Sequence, residues 1–168
     1  MTRKPHPTRP PRNDLVDALV LEVHGLVHDQ GWLADRALER VLRRERALWA
    51  NERRAVAEAV YGILRSQGQL DFLLGGSPAL ATRYAAWLVR GAGVGPAQAA
   101  ARLGTPPRAL AGLAEADARI AAIPDPLDRL AVEASLPRWI VERLVTELGE
   151  AEARALAAVL NRRAPLTI

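Results

Sequence analysis

The stretch Asn51-Glu52-Arg53-Arg54-Ala55-Val56-Ala57-Glu58-Ala59-Val60-Tyr61-Gly62-Ile63-Leu64-Arg65 decides the fold class. Val56, Val60, Ile63 and Leu64 recur three and four residues apart, so one face of an α-helix collects them. Arg53 and Arg54 fall in its first turn, where positive charge opposes the helix dipole by about 0.3–1 kcal/mol. Glu52 offsets part of that, and something other than helix stability is expected to have placed these arginines there.

The same periodicity continues outward on both sides. Upstream, Asn13 predicts an N-cap, and Leu15, Val16, Leu19, Val20, Val23, Leu26 and Val27 follow at helical spacing up to a left-handed cap at Gly31. Residues 33–46 predict a second helix with Ala34, Ala37, Leu38, Val41 and Leu42 inward and Arg36, Arg40 and Arg44 on the opposite face. Downstream, residues 69–74 predict a short continuation stopped by Gly75 and Gly76. Ser77-Pro78 opens a helix to Val89, and a short one covers 96–103. An Ala-rich helix is expected over 108–123 and a short one over 127–134. Pro137 opens another that ends at Leu148 before Gly149, and 150–160 forms the last. No segment alternates apolar and polar residues over a strand length. The expected fold is all-α, a compact bundle of about eight or nine helices without a sheet.

Composition narrows the function. Apolar residues make up 49% of the 168, enough for a core, but aromatics are only 4%, so that core must be built from Leu, Val and Ala. There is no cysteine, which excludes disulfides, thiolate metal sites and cysteine nucleophiles. No run approaches the ~20 apolar residues of a membrane span. The basic N-terminus lacks the apolar segment of a secretory signal, so a cytoplasmic, non-membrane protein is expected. The net charge of +4 is unevenly spread. Residues 1–12 carry Arg3, Lys4, Arg9 and Arg12 with four prolines and no acid, which predicts an unfolded arm. Residues 13–35 are acidic, and residues 36–110 hold twelve arginines against five acids. That clustering is the footprint of a polyanion binder.

Other constellations carry less. His24 and His28 are four apart, but Gly25 occupies the place of the glutamate in a zinc protease motif and no third ligand follows. They read as partly exposed surface histidines, and no metal site is expected. Gly91-Ala92-Gly93-Val94-Gly95 follows a helix rather than a strand and reads as a connection, not a phosphate loop. Asp14 with Asp17, and Asp125 with Asp128, sit at helix N-termini, where the dipole accounts for them. No catalytic residues are assigned. The candidate phosphate contacts are Arg36, Arg40, Arg43, Arg44, Arg53, Arg54 and Arg65 with the tail residues Arg3, Lys4, Arg9 and Arg12. The alternative for the helical arginines is a solvated face stitched by Glu39–Arg43 type pairs. Trp32, Trp49, Trp87 and Trp139 are available to stack bases or to fill core.

The run 52–65, followed by Leu70-Asp71-Phe72-Leu73-Leu74, resembles the central helices of NusB-like domains. A second stretch is similar to one subgroup. Ala134-Ser135-Leu136-Pro137-Arg138-Trp139-Ile140-Val141-Glu142-Arg143-Leu144, Gly149-Glu150-Ala151-Glu152-Ala153 and Leu160-Asn161-Arg162-Arg163-Ala164-Pro165-Leu166-Thr167 look like the segment joining that domain to the catalytic part of RsmB/NOP2/Sun-type rRNA cytosine-5 methyltransferases. Between Tyr84 and Ile123 the likeness lapses, and Gly112-Leu113-Ala114-Glu115-Ala116-Asp117 stands where the family carries another helix.

The resemblance implies an RNA-binding, non-catalytic NusB-like domain over 13–123, preceded by the tail 1–12. Residues 124–168 would then be helices leading toward a methyltransferase domain. In that family S-adenosylmethionine and two cysteines belong to the catalytic domain, so this chain is expected to bind no cofactor and to be no enzyme by itself. Its implied partners are ribosomal RNA and a linked or separate catalytic domain. Two alternatives stand beside this. One is a stand-alone NusB-type antitermination or ribosome-assembly factor. The other is a domain that packs on a catalytic partner without touching RNA.

Overall fold

The computed structural model describes residues 10–162, and among them every regular element is a helix. The expected all-α class is what forms, with nine α-helices and one 3-10 helix among the described residues. Arg3, Lys4 and Arg9 lie outside the described residues. The backbone forms two compact units, one reaching Tyr61 and the other beginning at Gly62.

In the first unit, α1 (Asn13–Gln30) and α2 (Ala34–Arg44) pack together, followed by the opening turns of α3 (Ala50–Leu74). The predicted stripes are the buried ones. Val16, Leu19, Val20 and Val23 of α1 are covered, as are Ala37, Leu38 and Val41 of α2 and Val56, Ala59 and Val60 of α3. Each valine or leucine so buried contributes about 1.5–3 kcal/mol. Gly31 takes the left-handed cap at φ 69°, its N–H donating to the Leu26 carbonyl. The N-cap of α1 is Arg12 rather than Asn13, because the Arg12 carbonyl accepts the first helical hydrogen bond, from Val16 at 3.0 Å. His24 corrects the surface reading of the histidine pair. It is 2% exposed, since it follows Val20 by four residues and shares its buried face. It stacks on His28 with ring centroids 5.9 Å apart.

The second unit holds the rest of α3, then α4 (Leu80–Arg90), α5 (Pro96–Arg102), the 3-10 helix η1 (Pro107–Leu113), α6 (Ala116–Ala121), α7 (Pro126–Ala134), α8 (Arg138–Leu148) and α9 (Glu150–Leu160). The expected continuation over 69–74 is the closing part of α3, which runs unbroken for 25 residues. Its glycines are spacing devices: a Cβ at Gly62 would stand 2.4 Å from Trp87 Nε1, and one at Gly68 would stand 3.2 Å from Ser135 Oγ. The Ala-rich segment 108–123 is not one helix. The Gly112 carbonyl, which a continuous α-helix would pair with the Ala116 N–H, accepts instead from Arg119 Nη1 at 2.9 Å. The chain therefore breaks between η1 and α6.

α7, α8 and α9 close a small core of Leu130, Ala134, Val141 and Ala157, flanked by Leu127, Ala131, Leu136 and Val145. Asp125 caps α7, accepting from the backbone N–H groups of Leu127 at 2.8 Å and Asp128 at 3.0 Å. Arg138 bridges Asp125, Asp128 and Glu142. The Asp128 and Leu127 N–H groups and Arg138 together hold the Asp125 carboxyl below its usual range. At the other end of α7, Ser135 adopts φ 54°, and its hydroxyl accepts the Gln69 N–H of α3 at 3.0 Å.

Candidate nucleic-acid interface

The candidate phosphate contacts separate by what they touch. Arg12 and Arg53 are bound up in the fold. The Arg12 backbone N–H and guanidinium donate to Glu52 at 2.7–3.0 Å, one guanidinium nitrogen also reaches the Ala47 carbonyl, and the group lies 4.5 Å from the centre of the Trp49 ring. Glu52, fully buried, reaches back to accept the Trp49 N–H at 3.0 Å, half of a capping box at the start of α3. Arg53 donates to the carbonyls of Leu42 at 2.8 Å and Glu45 at 3.1 Å, satisfying groups that the end of α2 leaves open. These contacts explain Arg53 near the start of α3 without any ligand; they do not involve Arg54.

Hydrogen bonds from Arg12, with the Trp49 N–H and the Arg12 positive charge adding to them, hold the Glu52 carboxyl down to about 2. In an unfolded chain the group titrates at its ordinary 4.5. The folded value is the lower one, so this stabilisation is complete above pH 4.5 and disappears as pH falls from there toward about 2. Glu22, lowered first by its hydrogen bonds to Arg44, acts in the same direction. Melting temperature is therefore expected to drop through this acid window, and Glu52→Gln is expected to flatten the drop. Identical acid profiles for the two proteins would refute the assignment.

The α2 arginines present a different surface. Arg36, Arg43 and Arg44 are 71%, 80% and 56% exposed along their side chains. Arg36 and Arg43 share Glu39, while Arg44 makes paired bonds to Glu22 at 2.6 and 2.7 Å and reaches Glu45. Arg40 lies over the Trp32 ring, 5.4 Å from its centre. Arg54 is exposed and has no ion-pair or hydrogen-bond partner among the described residues. Solvent-exposed ion pairs contribute about 0–1 kcal/mol, so phosphate can displace their carboxylates at little expense. The arrangement seen on α2 is the stitched face, with Glu39, Glu22 and Glu45 as its carboxylates.

Arg65 falls in the other unit and lines a cleft with Trp87 and Arg90. In the sequence Trp87 is one of four tryptophans and Arg90 one of many arginines; the signal that marks this place is Gly62, a glycine inside a helix. The Gly91–Gly95 run connects α4 to α5, with Gly95 at the N-cap of α5, as a connection should. Among the described residues no cluster of three or more His, Cys, Asp or Glu could hold a metal ion. No helix among them is long and apolar enough to cross a membrane.

No family model, curated protein or solved structure matches this chain.

Proposed function

We propose that this chain is an RNA-binding domain without chemistry of its own, the NusB-like domain of an S-adenosylmethionine-dependent rRNA cytosine-5 methyltransferase. The observation that carries the RNA reading is the α2 face. Four arginines within nine residues stand exposed, held only by surface carboxylates or an aromatic ring. Such a face follows a phosphate backbone and supplies affinity and register rather than base choice. The family part rests on the likeness of residues 52–74 and 134–167. The catalytic domain and its cofactor would be contributed by a partner or a continuing chain, in the cytoplasm.

The test is titration with labelled ribosomal RNA fragments over a range of salt. Neutralising four to six phosphates predicts a slope of log K against log salt of about −3 to −4. Replacing Arg40 and Arg43 by alanine is expected to reduce that slope by about 1–2 while leaving the melting temperature unchanged. A truncation probing the tail must stop before Arg12, which the fold of the first unit requires. A flat salt dependence would remove the electrostatic basis of the proposal.

A second reading has its own observation. On α8 and α9, Trp139, Leu148, Val159 and Leu160 are exposed by 69%, 40%, 56% and 57%. Large apolar side chains left in water suit a protein partner. If RNA does not bind at low salt, docking on a catalytic partner through these helices becomes the better account.

A further inference from the structure

The cleft in the second unit has a volume of about 330 Å³ and lies along α3 and α4 with Asn161 beyond the end of α9. That is the lower end of the range of about 300–1,000 Å³ typical of small-molecule sites. Its chemistry comes from Arg65, Ser66, Gln69, Trp87, Arg90 and Asn161, and no acidic side chain lines it among the described residues.

Trp87 is seated by two glycines. A Cβ at Gly62 would meet its Nε1 at 2.4 Å, and one at Gly91 would meet it at 2.8 Å. The nitrogen-bearing edge of the indole therefore lies against two residues that themselves line the cleft. A glycine inside a helix costs roughly 0.5–1 kcal/mol relative to alanine, and Gly62 accepts that cost where the indole sits. Trp87 is only half-buried, and its N–H donates to no group among the described residues. The N–H is not closed off from the surface and can donate to a group that enters the cleft.

The remaining groups are similarly open. Arg65 is half-buried and has no ion-pair, hydrogen-bond or ring partner among the described residues. Arg90 holds one bridge of 2.9 Å, to an Asp117 side chain that is 87% exposed and readily exchanged. Asn161 is oriented by donating its amide to the Ala134 carbonyl at 3.0 Å, which leaves its own carbonyl oxygen as an acceptor. The Ser66 hydroxyl donates to the Gly62 carbonyl at 2.7 Å and keeps its lone pairs.

Two guanidinium groups without buried counter-charges call for an anion. An indole edge beside oriented amide and hydroxyl acceptors calls for a flat ring bearing both donors and acceptors. We propose that this cleft takes one nucleotide unit of an unpaired RNA strand, its phosphate on Arg65 and Arg90 and its base against Trp87. The proposal rests on the RNA-binding reading and names where that reading becomes selective for single-stranded RNA.

The test is fluorescence anisotropy of the full chain with fluorescein-labelled hexauridylate and hexaadenylate, with unlabelled UMP and AMP as competitors and folded rRNA fragments in parallel. Arg65→Ala and Trp87→Phe are each expected to weaken hexanucleotide binding about tenfold, with unchanged circular dichroism for Arg65→Ala. Monophosphates are expected to compete only at concentrations far above the hexanucleotide Kd. Competition by UMP or AMP at that same Kd would mean a free-nucleotide site and overturn the strand proposal. If hexanucleotides bind and only the Arg40 and Arg43 replacements weaken them, the cleft is overturned and the RNA reading stands. The same holds if rRNA fragments bind but hexanucleotides do not. If neither RNA binds at low salt, both fall together.

Discussion

Asp71→Ala is expected to lower the unfolding free energy by about 3 kcal/mol, a large share of the 5–15 kcal/mol that holds a typical domain together. The Arg83 guanidinium is almost wholly buried, and it grips Asp71 with Nε to Oδ1 at 2.7 Å and a second nitrogen to Oδ2 at 3.1 Å. Arginine cannot shed its proton inside a protein, so removing the carboxylate leaves a cation facing the space where its counter-charge stood. The low end of the usual 3–5 kcal/mol applies because the Asp71 side chain is a quarter exposed and water can enter. With an m value of about 2 kcal/mol/M, the urea midpoint should fall by roughly 1.5 M. Replacing both partners together, Asp71→Leu with Arg83→Met, should recover much of the loss, because apolar side chains leave no charge behind. A double variant no more stable than Asp71→Ala would show that this ion pair is not the source of the effect.

Gly112→Ala is the second large effect, also about 3 kcal/mol, from one methyl group. An ideal Cβ there would stand 2.4 Å from the Leu73 carbonyl oxygen and 2.4 Å from Arg119 Nη1. That nitrogen ties three segments together: it donates to the Leu73 carbonyl near the end of α3 at 2.7 Å and to Gly112 itself at 2.9 Å, while the guanidinium lies 5.6 Å from the centre of the Phe72 ring. Overpacking costs about 1–3 kcal/mol, and each hydrogen bond from a charged donor contributes about 1.5–3. A methyl group cannot be admitted without displacing backbone or breaking this bridge. Thermal or urea unfolding measures it, with the exposed neighbour Ala111→Ser as a control expected to change stability by less than about 0.5 kcal/mol. Equal stability of Gly112→Ala and the parent chain would refute the close approach.

Much of the candidate interface was legible, and the misses share a cause. The exposed face of Arg36, Arg40, Arg43 and Arg44 follows from the i, i+4 spacing alone, because a residue's neighbours on a helix are fixed by the helix itself. Arg12 and Arg53 look in sequence like members of that face, because their charge is visible there and their partners are not. Glu52 lies 40 residues from Arg12, and the carbonyls that Arg53 caps are 8 and 11 residues away. Trp87 could not be singled out for the same reason. Its setting is made by Gly62, 25 residues before it in the chain, which α4 brings within reach.

The amino-acid sequence by itself determined the helices, their inward stripes and most of their ends. These arise from contacts within four residues: apolar periodicity, a proline at a first turn, a glycine in the left-handed cap at Gly31. Tertiary structure decided where a helical composition breaks, as between η1 and α6. It also decided which arginines serve the fold and which remain open to a ligand. The physical reason is range. A backbone hydrogen bond in a helix is satisfied locally, whereas a buried guanidinium or an indole edge must be met by groups that only folding brings near.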